Sequence, residues 1–211
     1  LVLGLPVPLL RDEAVARPVL ESLRARLVRE HQFQVNGRPF SFAVSAVRAA
    51  AQPVGAWADW ALDSEGRWAH RAAQTALVAV LDVGFNTLDL YGIRGGRLEP
   101  RLVGGDKVGV RRLLDLAAPG EPYHEADERV RAGKVPDSAL ATWLSEVVGT
   151  AERVWNGARL DLLLVVGGGA VLLRERADAF RQAFRTEVVI PNDPIAANAR
   201  GLWKWGQTVR W

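Results

Sequence analysis

The segment LDVGFNTLDL, residues 81–90, decides how the rest of the chain is read. It closes a nearly unbroken apolar run, TALVAVLDVG, the pattern of a strand covered on both faces. Asp82 stands at the end of that strand, and Gly84 permits a sharp turn through Phe85 and Asn86 whose backbone N–H groups can point at an anion. The Thr87 hydroxyl adds a donor, and Asp89 follows in the next strand. A carboxylate beside bare phosphate is repelled, so Asp82 implies a metal ion or a water between the two. Taken alone, the segment also fits an ordinary hairpin, and only its surroundings separate the readings.

Two later stretches bear on the choice. LLLVVGGGAVLL, residues 162–173, sets Gly167, Gly168, Gly169 and Ala170 between a buried strand and a helix. Three glycines let another surface approach the backbone, and a helix start offers the positive end of its dipole. The spacing is neither a Rossmann fingerprint nor a P-loop, so tight packing and ligand contact both remain open. VIPNDPIAANARGLWKWG, residues 189–206, combines a turn at Asn192-Asp193-Pro194, with Asp193 as a cap, and a helix whose Ala196, Ala197, Ala199 and Gly201 form a small-residue face.

Outward from these, the pattern predicts an opening strand and then a helix over about residues 12–29, capped by Asp12, with apolar Val15, Val19, Leu23 and Leu27 and with Pro18 inside. Alternating residues on both sides of Asn36-Gly37 predict a hairpin. QPVGAWADWALD turns to helical spacing with Val54, Trp57 and Ala61 on one face. Two strands joined at Gly95-Gly96, a helix from Val108 to Ala117 and a short polar helix in EPYHEADERVRAGK follow. DSALATWLSEVVGTAERVW reads as a long helix capped by Asp137 or Ser138. A helix over VLLRERADAFRQAF, a strand at TEVVI and a last helix from about Pro194 complete an α/β chain with mixed sheets.

Composition excludes several classes. The 27 basic and 24 acidic residues are interspersed, giving a net charge of +3 and no basic block longer than two, so no direct nucleic-acid binding is expected. The chain has no cysteine and hence no disulfide scaffold. Its apolar runs are too short or too interrupted for a membrane span, and a secretory route is not expected from the residues at its start. The expected setting is cytoplasmic.

In this order, the three motifs resemble the actin, sugar-kinase and heat-shock chaperone superfamily of ATPases, and more narrowly the bacterial and archaeal actin-like proteins of the ParM/StbA type. The resemblance runs across most of the chain, with GLP at residues 4–6 and the PNDP…ANARG stretch, Pro191 to Gly201, adding to it. It implies an actin-like ATPase fold of two ribonuclease-H-like domains. Residues 1–80 with 191–211 would form part of the first domain, and 81–190 the second. Asp82, Gly84, Phe85, Asn86, Thr87 and Asp89 would be the second phosphate loop, with Asp82 holding Mg2+ through water. Gly167, Gly168, Gly169 and Ala170 would be the adenosine motif, with Glu128 and Arg131 along the base. Gln52, where a strand leads into a helix, either orients the attacking water or caps that helix. ATP or ADP with Mg2+, filaments of the chain itself and an adaptor protein are the implied ligands and partners.

One departure stands out. The family's first phosphate loop, of the form D-x-G-x-x-x-x-K, has no counterpart, since neither Asp12 nor Asp59 is followed by glycine. The expectation is an incomplete first domain, in a chain that begins at Leu1 rather than methionine. The alternatives are an actin-fold scaffold of the cell-division or pilus-assembly type, or a small-molecule kinase of the same fold. The membrane-linked scaffold would use Trp203, Trp205 and the basic residues of GLWKWGQTVRW. The kinase lacks an acidic base beyond Asp89.

Overall fold

In the computed structural model, which describes residues 1–208, β1 (Val2–Leu5) leads into the short helix α1 (Val7–Arg11) and then α2 (Glu13–Leu27). Asp12 ends α1 and starts α2, its carboxylate accepting from the Ala14 N–H at 2.9 Å. The expected helix with its Asp12 cap is therefore α2, and α1 is an added element before it. Pro18 lies within α2. The predicted hairpin is β2 (Glu30–Val35) with β3 (Arg38–Ala43), turning at Asn36 and Gly37, both at positive φ. Phe33 and Phe40 stack at 5.8 Å across it, on a face that stays exposed. β4 (Arg48–Ala51) pairs in parallel with β1 and passes directly into α3 (Gln52–Ala61).

The second half is built on one mixed sheet. β5 (Leu77–Val83) and β6 (Leu88–Arg94) are antiparallel around the 84–87 turn, with Asp82 opposite Asp89. β7 (Arg97–Leu98) and β8 (Gly104–Asp106) both pair β6; β8 was not expected from sequence. Three helices follow: α4 (Val110–Ala117), α5 (Tyr123–Arg131) and α6 (Asp137–Trp155). The α6 start has Pro136 at the cap position and no side-chain cap bond, so neither Asp137 nor Ser138 caps it; Asp137 instead lies 3.2 Å from Arg176. β9 (Leu162–Val166) pairs in parallel with β5. The helical run after the glycines breaks into α7 (Ala170–Leu173), a 3-10 turn at Arg174–Arg176 and α8 (Ala177–Phe184). At the break, Arg174 donates to the carbonyls of Pro191 and Asn192. β10 (Glu187–Val189) completes the order β10-β9-β5-β6-β7, an antiparallel meander joined to two parallel strands in the ribonuclease-H-like manner. The final helix, α9 (Ala197–Thr208), begins three residues later than Pro194 because Asp193 caps a turn at Ala196 instead.

The chain divides into two compact units, residues 1–69 with 198–211, and residues 70–197. In the second, strands β5 and β9 are buried along nearly their whole length, and Trp143, Val147, Trp155 and Phe180 cover the sheet. Burying side chains of this size contributes roughly 1.5–3 kcal/mol each. In the first unit, α3 and α9 lie so close that Gly55 and Gly201 have no room for a side chain. Asp59, with 8% of its side chain exposed, is held by Arg200 at 2.7 Å and Lys204 at 2.9 Å. Leu202 is buried, Trp205 half-buried and Trp203 exposed on α9; the last three residues of GLWKWGQTVRW lie outside the described residues. Among the described residues, no helix is long and apolar enough to cross a membrane.

Candidate functional site

The 84–87 turn is tight because the Gly84 N–H donates to Thr87 O at 2.9 Å. Two more of its carbonyls are engaged. Val110 donates to Gly84 O at 3.0 Å and Arg111 to Phe85 O at 2.8 Å. The N–H groups of Phe85, Asn86 and Thr87 have no protein partner among the described residues, and all three residues are exposed. A row of free N–H groups on a turn whose carbonyls are tied back is a concavity for an anion. The Thr87 hydroxyl donates to Asp89 at 2.9 Å, so it is committed to that carboxylate rather than aimed outward.

Asp82 and Asp89 face each other across β5 and β6, and both are half-buried. Like charges in directly opposed positions repel, and a cation beside them relieves this. Among the described residues no group of three or more His, Cys, Asp or Glu side chains gathers as a ready metal site. A hard cation here would therefore complete its shell with water or ligand oxygens, as Mg2+ commonly does.

The glycine loop is locked to the same strand end. The Gly169 N–H donates to Val83 O at 2.9 Å and the Gly167 N–H to Pro194 O at 3.0 Å. Gly167 has φ of 85°, and a side chain there would meet the Asp82 carboxylate at 2.5 Å. Gly169 and Ala170 are buried, whereas Gly168 is exposed with open space above it. Gly168 lines a cavity of about 420 Å³ whose other walls are Phe85, Val110, Asp127, Val130, Arg131, Val171, Leu172 and Ile195. The volume and the mainly apolar lining with one charged pair suit a small ligand. Arg131 and Asp127 pair at 2.6 Å on the wall, while Glu128 is exposed and not among the lining residues.

Tyr123 buttresses this side. Its ring packs edge-on to Phe85 with centroids 6.4 Å apart, its hydroxyl accepts from Arg111 and donates to Asp115. In the first unit Gln52 opens α3 with an exposed side chain and no cap bond; the cap position is Ala51. Among the described residues, the Gln52 side chain has no hydrogen-bond partner, so its capping role is not what the structure shows.

Of the residues named from sequence, the structure brings Asp82, Gly84 to Thr87, Asp89 and the glycines to one end of one sheet, with Arg131 of α5 on the cavity beside them. Sequence reasoning missed Gly109, Val110 and Asp127. The signal for the first pair was a glycine directly before a helix with an apolar second residue, VGV, which reads equally as an ordinary cap.

The tight turn and the glycine loop end two parallel neighbours of one mixed sheet in an α/β framework. Solved structures share this framework. The apo psk41 ParM protein matches 97% of this chain at 19% identity with a TM-score of 0.75. The archaeal actin homologue Ta0583, in complex with ADP, matches 99% at 20% identity and 0.72. A ParM filament from Clostridium botulinum matches 99% at 15% identity and 0.65. The chain therefore has the actin-like fold. It spans 61% of the psk41 protein, 72% of the archaeal homologue and 66% of the filament subunit. No protein-family model matches the sequence. No curated protein matches it either.

Proposed function

We propose that this chain is the nucleotide-binding part of a filament-forming, actin-like ATPase. The observation that carries the reading is the row of unpartnered N–H groups at Phe85, Asn86 and Thr87 beside a cavity floored by Gly168. In this reading the phosphates of ATP or ADP accept from those N–H groups, and the base lies in the cavity against Phe85, Val171 and Leu172, near Arg131 and Asp127. Asp82, with Asp89 across the ladder, holds water on a Mg2+ ion. Bound Mg2+ would supply charge stabilisation to the transferring phosphoryl group. Gln52 orients the attacking water, which is the main task left to a side chain in phosphoryl transfer. Its exposed, unpaired amide supports that role. Hydrolysis belongs to a protein that carries this chain together with a first phosphate loop. Self-association into filaments is supported by the fold shared with a ParM filament, and an adaptor protein and a cytoplasmic setting go with that reading.

The test is titration calorimetry of the chain with ADP and Mg2+. Binding by the wild type, weakened by Asp82→Ala more with Mg2+ than without it, supports the assignment. Equal affinity in both proteins removes Asp82 from the site.

A further inference from the structure

We infer that the start of α4, through Gly109, is the device that holds the 84–87 turn with its N–H groups facing a phosphate. The inference rests on the nucleotide reading above. A helix start leaves its first N–H groups without helical partners. Here two of them are used on protein rather than ligand: Val110 donates to Gly84 O at 3.0 Å and Arg111 to Phe85 O at 2.8 Å. A trans peptide is planar, with the carbonyl of one residue and the N–H of the next pointing oppositely. Pulling Gly84 O and Phe85 O toward α4 therefore turns the N–H groups of Phe85 and Asn86 away from it. These are two of the three exposed, unpartnered donors of the turn. The dipole of α4 is spent on orienting the cradle.

The contact needs residue 109 to be glycine. A side chain there would fall 2.5 Å from Phe85 O, 2.7 Å from Gly84 O and 2.7 Å from the carbonyl carbon of Asn86, all backbone atoms of the turn. Gly109 has φ of −70°, a conformation open to any residue, so the requirement is space and not backbone freedom. The helix cannot simply retreat. Leu113 and Leu114 are buried, and Arg112 makes two bonds, 2.8 and 2.7 Å, to Glu146 on α6. The turn is the part that must give way.

Gly109→Ala tests this positioning role by comparing adenosine with ADP in titration calorimetry of the full chain. The expected result is an affinity for ADP about tenfold lower, with a smaller loss for adenosine through Phe85 on the cavity wall, since misaligning one charge-assisted bond is worth about a factor of ten. ADP affinity within about twofold of wild type, or an equal loss for both ligands, overturns the inference. Failure of the wild-type chain to bind either ligand overturns the nucleotide reading itself, and this role with it. Should the variant not fold, amide exchange in the wild type decides. Val110 and Arg111 should be protected before any nucleotide is added, while Phe85, Asn86 and Thr87 gain protection only with ADP. Fast exchange at Val110 and Arg111 in the free chain refutes the clamp.

Discussion

Gly167 shows how closely single residues are constrained at the strand ends. Its φ of 85° is strained for any other residue, and an added methyl group would meet Asp82 Oδ1 at 2.5 Å and Val83 O at 2.6 Å. Gly167→Ala is expected to cost about 2–3 kcal/mol by denaturant unfolding, against at most about 0.5 kcal/mol for Gly168→Ala, which has open space and an ordinary φ. Similar losses at both positions would contradict the geometry. Gln52 presents the opposite case, an exposed side chain with nothing to hold. Gln52→Ala in a hydrolysing protein should leave nucleotide affinity intact while turnover falls about 100-fold, the usual scale for losing a group that positions a proton-bearing reactant. A matching fall in affinity would make Gln52 a binding residue instead.

Between elements, the decisive contacts join helices that are far apart in sequence. Arg112 on α4 grips Glu146 on α6, and hydrogen bonds from Arg112 hold the Glu146 carboxyl below its ordinary 4.5 against the opposing effect of partial burial. A group whose folded value is depressed stabilises the fold above its unfolded value and loses that increment as pH falls through the folded one. Glu146→Gln should therefore be less stable than wild type at neutral pH. The two unfolding midpoints should converge as the solution is acidified below 4.5. A constant gap across that range would show that the pair adds nothing through ionisation. In the first unit, Asp59→Ala takes the carboxylate away from Lys204, whose side chain is 18% exposed, and from Arg200. A loss of about 3 kcal/mol is expected in thermal unfolding, because breaking a largely buried ion pair costs more than the pair contributed. The β2–β3 hairpin, two strands with exposed faces, should exchange its amides far faster than β5 and β9, since a two-stranded ladder has little to hold it. Comparable protection would mean that something covers it.

For the whole molecule, the proposed function predicts that ATP addition drives a protein carrying this chain into the sedimenting fraction, and that nucleotide-free protein stays in the supernatant. Sedimentation without nucleotide dependence would leave the scaffold reading in place. Much of this architecture was legible in LDVGFNTLDL and LLLVVGGGAVLL, because strand burial, glycine turns and helix starts are settled by neighbours along the chain. The unbroken helix expected over VLLRERADAFRQAF failed where Arg174 finds the carbonyls of residues 191 and 192, a pairing that no local pattern records. Asp127 joins Arg131 on the cavity wall because α5 buries Ala126 and Val130, which fixes the rotation of the helix and leaves Glu128 exposed. The sequence by itself determined which residues form the turn, the glycine loop and the strands beneath them, since those depend on short-range backbone chemistry. Which way the turn's N–H groups face was decided only in the tertiary structure, where the start of α4, at Val110 and Arg111, takes the carbonyls of Gly84 and Phe85 to its own side.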